Sequence, residues 1–214
     1  MKHWVLLALL TGLAAGGCSV DQYRTTGVYM LLDTSATDAT ALRKAQSAVN
    51  FFLGTLQPQD TLALASIGTG SFSEKDIIAR TTFDRRPSVA NNQKRAFQKK
   101  AADLVVEVKS SAAADISGGI LQAIEYLNAV QAGRKVIFIF SGLKQEGDRG
   151  GAGDVGFQLS GFAVIVLNPA AGAGVPTAEN TRERIELWRS RIESGNGRWH
   201  VVEKLDDIDA VFTR

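Results

Sequence analysis

The sequence predicts an α/β fold, in which a doubly wound, mostly parallel sheet has one antiparallel edge strand and helices on both faces. Short apolar segments alternate with amphipathic ones along almost all of the 214-residue chain, which is typical of this class. The apolar segments are bounded by turn-forming residues, as buried strands are. Because there is no internal repeat and no second apolar core, residues 27–214 are predicted to form one domain.

The first half of the domain supplies three strands and two helices. Residues 27–32 are apolar and form the first strand, and the helix that follows keeps its apolar residues at helical spacing until Pro58. Residues 61–67 are predicted as a second buried strand, and residues 77–83 alternate in polarity as a half-exposed edge strand does. The second helix is predicted over 91–110.

The second half continues the alternation. Asp115 opens a third helix, and residues 136–140 form the most hydrophobic strand of the mature chain. Residues 161–167 form the next strand, an amphipathic helix surrounds Trp188, and residues 199–202 form the last strand before a short terminal helix. These elements complete the predicted sheet.

The most informative motif follows the first strand. The chain turns there through Asp33, Ser35 and Thr37, which are spaced by two residues. In open α/β sheets ligands bind at the carboxyl ends of the strands, so this loop is expected in the functional crevice. One carboxylate and two hydroxyls are hard oxygen ligands of low total charge, which suit Mg²⁺. The alternative is that Asp33 and Ser35 cap the next helix.

This loop resembles the first motif of the metal-ion-dependent adhesion site of von Willebrand factor A domains, with Thr37 where Ser is usual. The resemblance extends over residues 26–213 and includes the Pro-x-Asp sequence that ends at Asp60. It implies a domain that binds another protein and catalyses nothing, with a Mg²⁺ held by Asp33, Ser35 and Thr37. It implies no small-molecule cofactor.

Two further positions depart from the family pattern. Ala114 stands where the family has a Thr that precedes the third helix, and Gly142 stands where an Asp follows the fourth strand. With one carboxylate lost, Mg²⁺ binding is expected to be weak or absent. The side chains that lie near enough in sequence to substitute are those of Asp115, Ser117, Glu146 and Asp148.

The amino terminus predicts export. Residues 1–17 combine a basic start, an apolar stretch too short to span a bilayer and small residues before the cleavage point, so they are predicted to be a signal peptide. The run that ends at Cys18 resembles a bacterial lipobox, which implies acylation of this only cysteine. Residues 18–26 then form a short tether. The alternative is ordinary cleavage, which leaves a soluble protein with a free thiol.

The predicted location is the bacterial envelope. The lipid is expected in the outer membrane, with the domain facing the periplasm. The first strand starts at the tether and ends at Asp33, so the loops at Asp33, Asp115 and Ser141 are expected to point away from the lipid. The partner is then expected in the periplasm or on an opposing surface.

Composition and charge argue against other classes of function. The net charge of +2 gives no global field for nucleic acid. The basic segment 80–100 contains only Asp84 as an acid, and no aromatic residues interleave with its charges in the manner of a nucleic-acid surface. It is interpreted as a solvated face, and the alternative is a surface that faces an acidic partner or lipid head groups. No nucleic-acid partner is predicted.

Enzyme motifs are weak. The two histidines, His3 and His200, lie in the signal and in a terminal strand, which does not favour a catalytic triad or a histidine metal cluster. The glycine motif at 151–156 precedes a strand rather than the helix that a dinucleotide site needs. The alternative function is a periplasmic hydrolase, in which Asp33 and Asp115 share acid and base roles.

Overall fold

The structure is a computed structural model that describes residues 25–34, 39–68, 74–107, 114–144, 156–167 and 178–212. The strands are β1 (Thr26–Asp33), β2 (Thr61–Ile67), β3 (Ile77–Thr82), β4 (Arg134–Phe140), β5 (Phe162–Leu167) and β6 (Arg198–Val202). The helices are α1 (Ala39–Thr55), α2 (Pro87–Glu107), α3 (Ile116–Ala129), α4 (Ala178–Ser194) and α5 (Asp207–Phe212).

The strands form one six-stranded sheet in the order β3-β2-β1-β4-β5-β6. All neighbours are parallel except β2 and β3, which are antiparallel. The predicted fold class is therefore confirmed, including the antiparallel edge. The chain builds outward from β1 in one direction and from β4 in the other, so the strand order reverses between these two strands. In such sheets this point opens the crevice that binds ligands.

Two apolar layers enclose the sheet. Side chains of β1 alternate between them, with Met30 and Leu32 facing one layer and Tyr29 and Leu31 facing the other. Helices α1, α2 and α5 cover the first layer, and α3 and α4 cover the second. Because β1 is buried from both sides, its sequence is continuously apolar rather than alternating.

The Pro-x-Asp turn joins the amino ends of β1 and β2. Gln59 has a left-handed backbone (φ 76°), and the Asp60 carboxylate that follows is buried. Its oxygens accept backbone N–H groups from Thr26 and Gln57, each at 2.7 Å. Asp60 therefore fixes the point at which the chain enters the sheet.

Several element boundaries differ from the predicted ones, among them the starts of α2, β4 and β6. Helix α2 begins at Pro87 rather than Asn91, because the Asp84 carboxylate accepts the N–H of Arg86 and proline suits the first helical position. Strand β4 begins at Arg134 rather than Val136, because Arg134 pairs with Thr26. None of the described helices is long and apolar enough to cross a membrane.

Candidate functional site at the carboxyl edge of the sheet

Asp33 ends β1 at the crevice, as predicted, and is only 6% exposed. The Ser141 hydroxyl, one residue beyond β4, donates a hydrogen bond of 2.6 Å to Asp33 Oδ2. The pairing of Leu32 with Phe140 makes Asp33 and Ser141 neighbours across the two central strands. Part of the hydrogen-bonding capacity of the carboxylate is therefore used within the protein.

The turn after β4 holds Ser141 in place. Its Oγ also accepts the backbone N–H of Leu143 at 2.9 Å, and Leu143 has a left-handed backbone (φ 59°). The indole N–H of Trp188 on α4 donates to the Leu143 carbonyl at 3.2 Å, with the whole Trp188 side chain buried. A helix on one face of the sheet thereby fixes the hydroxyl that contacts Asp33.

The ends of β1 and β2 are joined in the same region. Both the backbone N–H and the hydroxyl of Thr34 donate to the Ile67 carbonyl, at 3.5 and 3.4 Å. The next carbonyl, that of Gly68, accepts the backbone N–H of Asp115 at 3.1 Å. The start of α3 is therefore attached to the end of β2, which brings the predicted Asp115 turn to the crevice edge.

Asp115 is the N-cap of α3, since its side chain accepts the N–H of Gly118 at 2.9 Å. Ser117 lies within the first turn of α3 and is fully buried. Ala114, which replaces the Thr of the family pattern, places a buried methyl group beside them. The capping contact gives the Asp115 side chain a structural role that requires no ligand.

The described side chains supply few of the oxygen ligands that a Mg²⁺ site needs. Ala114 and Gly142 offer no side-chain oxygen at two positions where the family pattern supplies one, and Ser141 takes an oxygen of Asp33. Among the residues that the structure describes, no three His, Cys, Asp or Glu side chains are grouped in a way that could hold a metal. A hard cation such as Mg²⁺ needs several oxygen ligands.

Several predicted site residues lie outside the described residues. These are Ser35 and Thr37 of the metal motif, the lipidation candidate Cys18, and the compensating candidates Glu146 and Asp148. The metal set Asp33, Ser35 and Thr37 therefore stays a prediction, as does acylation of Cys18. The glycine motif also falls there except for Gly156.

The basic segment lies on β3 and α2 and is largely solvent-exposed. Arg80 pairs with Glu74 at 3.1 Å and Arg86 pairs with Asp84 at 2.9 Å. The Arg86 guanidinium lowers the pKa of the Asp84 carboxyl to about 2. These contacts agree with the interpretation of this segment as a solvated face.

Sequence reasoning placed the Ser141 loop at the crevice but missed the contact of Ser141 with Asp33. The signal was a hydroxyl directly after the strand that adjoins β1. Nothing in the sequence indicated the left-handed conformation of Leu143, because leucine rarely adopts it. A buried Trp188 is expected to find a hydrogen-bond acceptor, but the sequence did not show which one.

No family model matches the chain, and no curated protein matches it. Solved structures do match. The chain is similar to a von Willebrand factor type A protein from Catenulispora acidiphila, with a TM-score of 0.54 and 11% identity over 88% of this chain and 41% of that one. It is similar to the pilus adhesin SpaC from Lactobacillus rhamnosus GG, with a TM-score of 0.55 and 12% identity over 90% of this chain and 29% of that one.

A third similar structure is an aerotolerance-related membrane protein from Bacteroides fragilis, with a TM-score of 0.51 and 13% identity over 88% of this chain and 96% of that one. The chain spans less than half the length of the first two proteins. At these identities the likeness shows the fold. The chain therefore has a von Willebrand factor A-like fold, as the sequence resemblance implied.

Proposed function

We propose that this chain is a non-catalytic protein-binding domain that contacts another protein through the carboxyl edge of its sheet. The observation that carries the proposal is the structural use of both acids at that edge. Asp33 accepts the Ser141 hydroxyl, and Asp115 caps α3. An acid–base pair must present its oxygens to a substrate, so these contacts favour a binding surface over the hydrolase alternative.

The likeness to adhesins supports the same role. A pilus adhesin and an aerotolerance-related membrane protein share this fold, and the fold places its loops at one edge of a rigid sheet. Loops on a rigid scaffold are common sites of recognition. The partner surface consists of the Asp33 loop, the turn at Ser141 and the start of α3.

The proposal includes export and attachment to a bacterial membrane through lipid on Cys18, with the domain in the periplasm. Acyl chains on one cysteine would hold the domain near the lipid, because the tether reaches only ~25–29 Å when extended. The chain enters the sheet at Thr26, and Asp33 lies roughly 20 Å further along β1. The partner surface then faces away from the anchoring membrane.

A pull-down with substituted chains tests this function. Asp33→Ala and Lys144→Glu should both reduce partner recovery from envelope extracts at least about tenfold, since ~1.4 kcal/mol of lost binding free energy gives that factor. Lys144 is exposed beside the Ser141 turn, so its substitution tests the surface without disturbing the buried Asp33. Asp103→Ala, at an exposed position on α2, is the matched control.

Two results would overturn the proposal. One is unchanged recovery of the partner by Lys144→Glu and by a folded Asp33→Ala protein. The other is that the wild-type chain hydrolyses generic ester or phosphate substrates and that this activity disappears in Asp33→Asn. This substitution keeps the side-chain volume and an acceptor for the Ser141 hydroxyl.

A further inference from the structure

A small cationic cavity lies on β4, β5, β6 and α5, on the sheet face that α5 covers. Its volume is about 130 Å³. The lining residues are Arg134, Ala163, Arg198, His200, Ala210 and Val211. The cavity is remote from Asp33, because Arg134 and Arg198 begin their strands whereas Asp33 ends β1.

The sheet register explains why a cavity forms here. Ala163 on β5 is paired with Val136 on one side and Arg198 on the other, and Arg134 lies two residues before Val136. Arg198 and His200 are also two residues apart, so they share one face of the edge strand β6. Because the side chain of Ala163 is small, a space remains above it between β4 and β6, and each of these two strands carries an arginine.

The cavity contains positive charge without a paired acid. The Arg134 guanidinium lies 4.7 Å from the centroid of the Phe212 ring. Neither Arg134 nor Arg198 forms an ion pair with an acidic side chain among the residues that the structure describes.

The protein environment of Arg134 and His200 disfavours their charged forms. Burial, followed by repulsion from Arg198, lowers the pKa of Arg134, and the same two causes lower the pKa of His200. Like charges that are held together at a half-buried site destabilise the empty protein. An anion that binds between them removes the repulsion and gains charge-assisted hydrogen bonds.

The side chains suit a tetrahedral oxyanion in particular. A guanidinium offers several N–H donors in a planar fork that matches phosphate oxygens, and two such groups flank the cavity. His200 adds a ring N–H donor. The volume admits a group of a few heavy atoms such as phosphate, whereas a nucleotide exceeds it.

We propose that Arg134, Arg198 and His200 form a binding site for a phosphate group, supplied by a phospholipid head group or by free phosphate. The site adjoins the start of β1, since the Thr25 carbonyl accepts the backbone N–H groups of Gly133 and Arg134 at 2.9 and 3.0 Å. If the chain is anchored through Cys18, this edge faces the lipid, so the lipid source rests on the proposed function. The binding of phosphate by these three side chains does not rest on the proposed function.

Heteronuclear NMR of the purified full chain in maltoside detergent micelles, which contain no phosphate, tests the site. The side-chain nitrogens of Arg134, Arg198 and His200 are followed in two arms. Inorganic phosphate is added in one arm, and phosphatidylglycerol is added to the micelles in the other. Saturable shifts with phosphate alone assign the site to free phosphate, and shifts with phosphatidylglycerol in phosphate-free buffer assign it to the head group.

The variants separate the cavity from general surface charge. Arg134→Gln and Arg198→Gln should each weaken the apparent affinity about tenfold or more, because each removes charge-assisted hydrogen bonds. Ala163→Leu should block binding while it retains both arginines. Lys135→Gln is the matched control, since its ammonium at the same strand end bonds Asn128 on the other face and its loss should change the affinity little.

Lack of saturable shifts in both arms would overturn the site. So would equal weakening by Lys135→Gln and Arg134→Gln, which would indicate general attraction between the anion and the basic surface. Because these outcomes do not involve Asp33 or the partner, they are separable from failure of the protein-binding proposal.

Discussion

Ser141 and Asp33 are 108 residues apart in sequence and are joined by a hydrogen bond of 2.6 Å at the ends of the two central strands. Both side chains are buried, and Trp188 fixes the turn that carries Ser141 through the Leu143 carbonyl. A hydrogen-bond network of the protein itself therefore joins the carboxyl ends of the two central strands of this von Willebrand factor A-like sheet. This relationship underlies the expectations for stability, metal and partner binding.

Ser141→Ala should lower the free energy of unfolding by about 1–3 kcal/mol, because it removes the buried hydrogen bonds that the hydroxyl makes with the Asp33 carboxylate and with the Leu143 N–H. Urea denaturation followed by circular dichroism measures the change. Ser47→Ala is the control, since Ser47 is exposed on α1 and bonds only the Arg43 carbonyl, and it should be close to neutral. Equal effects of the two substitutions would contradict the importance of the network.

Titration calorimetry with Mg²⁺ and Mn²⁺ should show weak or no binding to the wild-type chain. The combined change Ala114→Thr and Gly142→Asp restores the oxygens of the family pattern and should strengthen binding. Because the new carboxylate would lie near Asp33, the double variant should be less stable without metal, and its Tm should rise when metal is added. Sub-micromolar affinity of the wild-type chain would disprove the degenerate site.

Gly27→Ala should destabilise the fold by about 1–3 kcal/mol, because a Cβ there would lie 2.7 Å from both Ala132 Cβ and Leu127 Cδ2. Gly54→Ala on α1 is the matched control. No atom lies within 4 Å of its added methyl, and alanine favours a helix, so stability should be unchanged or rise by up to ~1 kcal/mol. Thermal denaturation should show a lower Tm for Gly27→Ala and an unchanged or higher Tm for Gly54→Ala, and an equal loss of stability in both would refute the packing argument.

His200 should titrate below its ordinary pKa of 6.5, because burial and then Arg198 disfavour its charged form. The His200 imidazole therefore binds a proton more readily in the unfolded chain than in the folded one. The His200 contribution to stability is fully present above pH 6.5 and is lost as the pH falls through the folded-state pKa. Arg198→Gln should raise this pKa, as an NMR titration of the imidazole would show, whereas an unchanged value would exclude the repulsion.

The sequence predicted the sheet well because buried parallel strands are short, apolar and bounded by turns. Strand β2 matches its prediction at both ends, and β3 was recognised as the edge by its alternation. The starts of β4 and β6 were missed because Arg134 and Arg198 are charged and only their register with neighbouring strands makes them strand residues.

The site was less predictable for a physical reason. Asp33 and Asp115 were placed at the correct edge, because strand ends follow from the alternation of elements. Side-chain partners depend on register and on turn conformation, so the acceptance of the Ser141 hydroxyl by Asp33 and the bond from Trp188 to Leu143 required the structure. The cationic cavity was missed because Arg134 and His200 come from strands that are 66 residues apart.

Site-directed photocrosslinking in cells tests the central claim most directly. A photoreactive residue at Lys144 reports on the Asp33–Ser141 edge, and one at Arg85 reports on the exposed basic face at the start of α2. The account predicts that Lys144 captures a specific protein, that the capture is lost in Asp33→Ala, and that Arg85 captures none. Capture of the partner from Arg85 alone, or of lipid from Lys144, would contradict it.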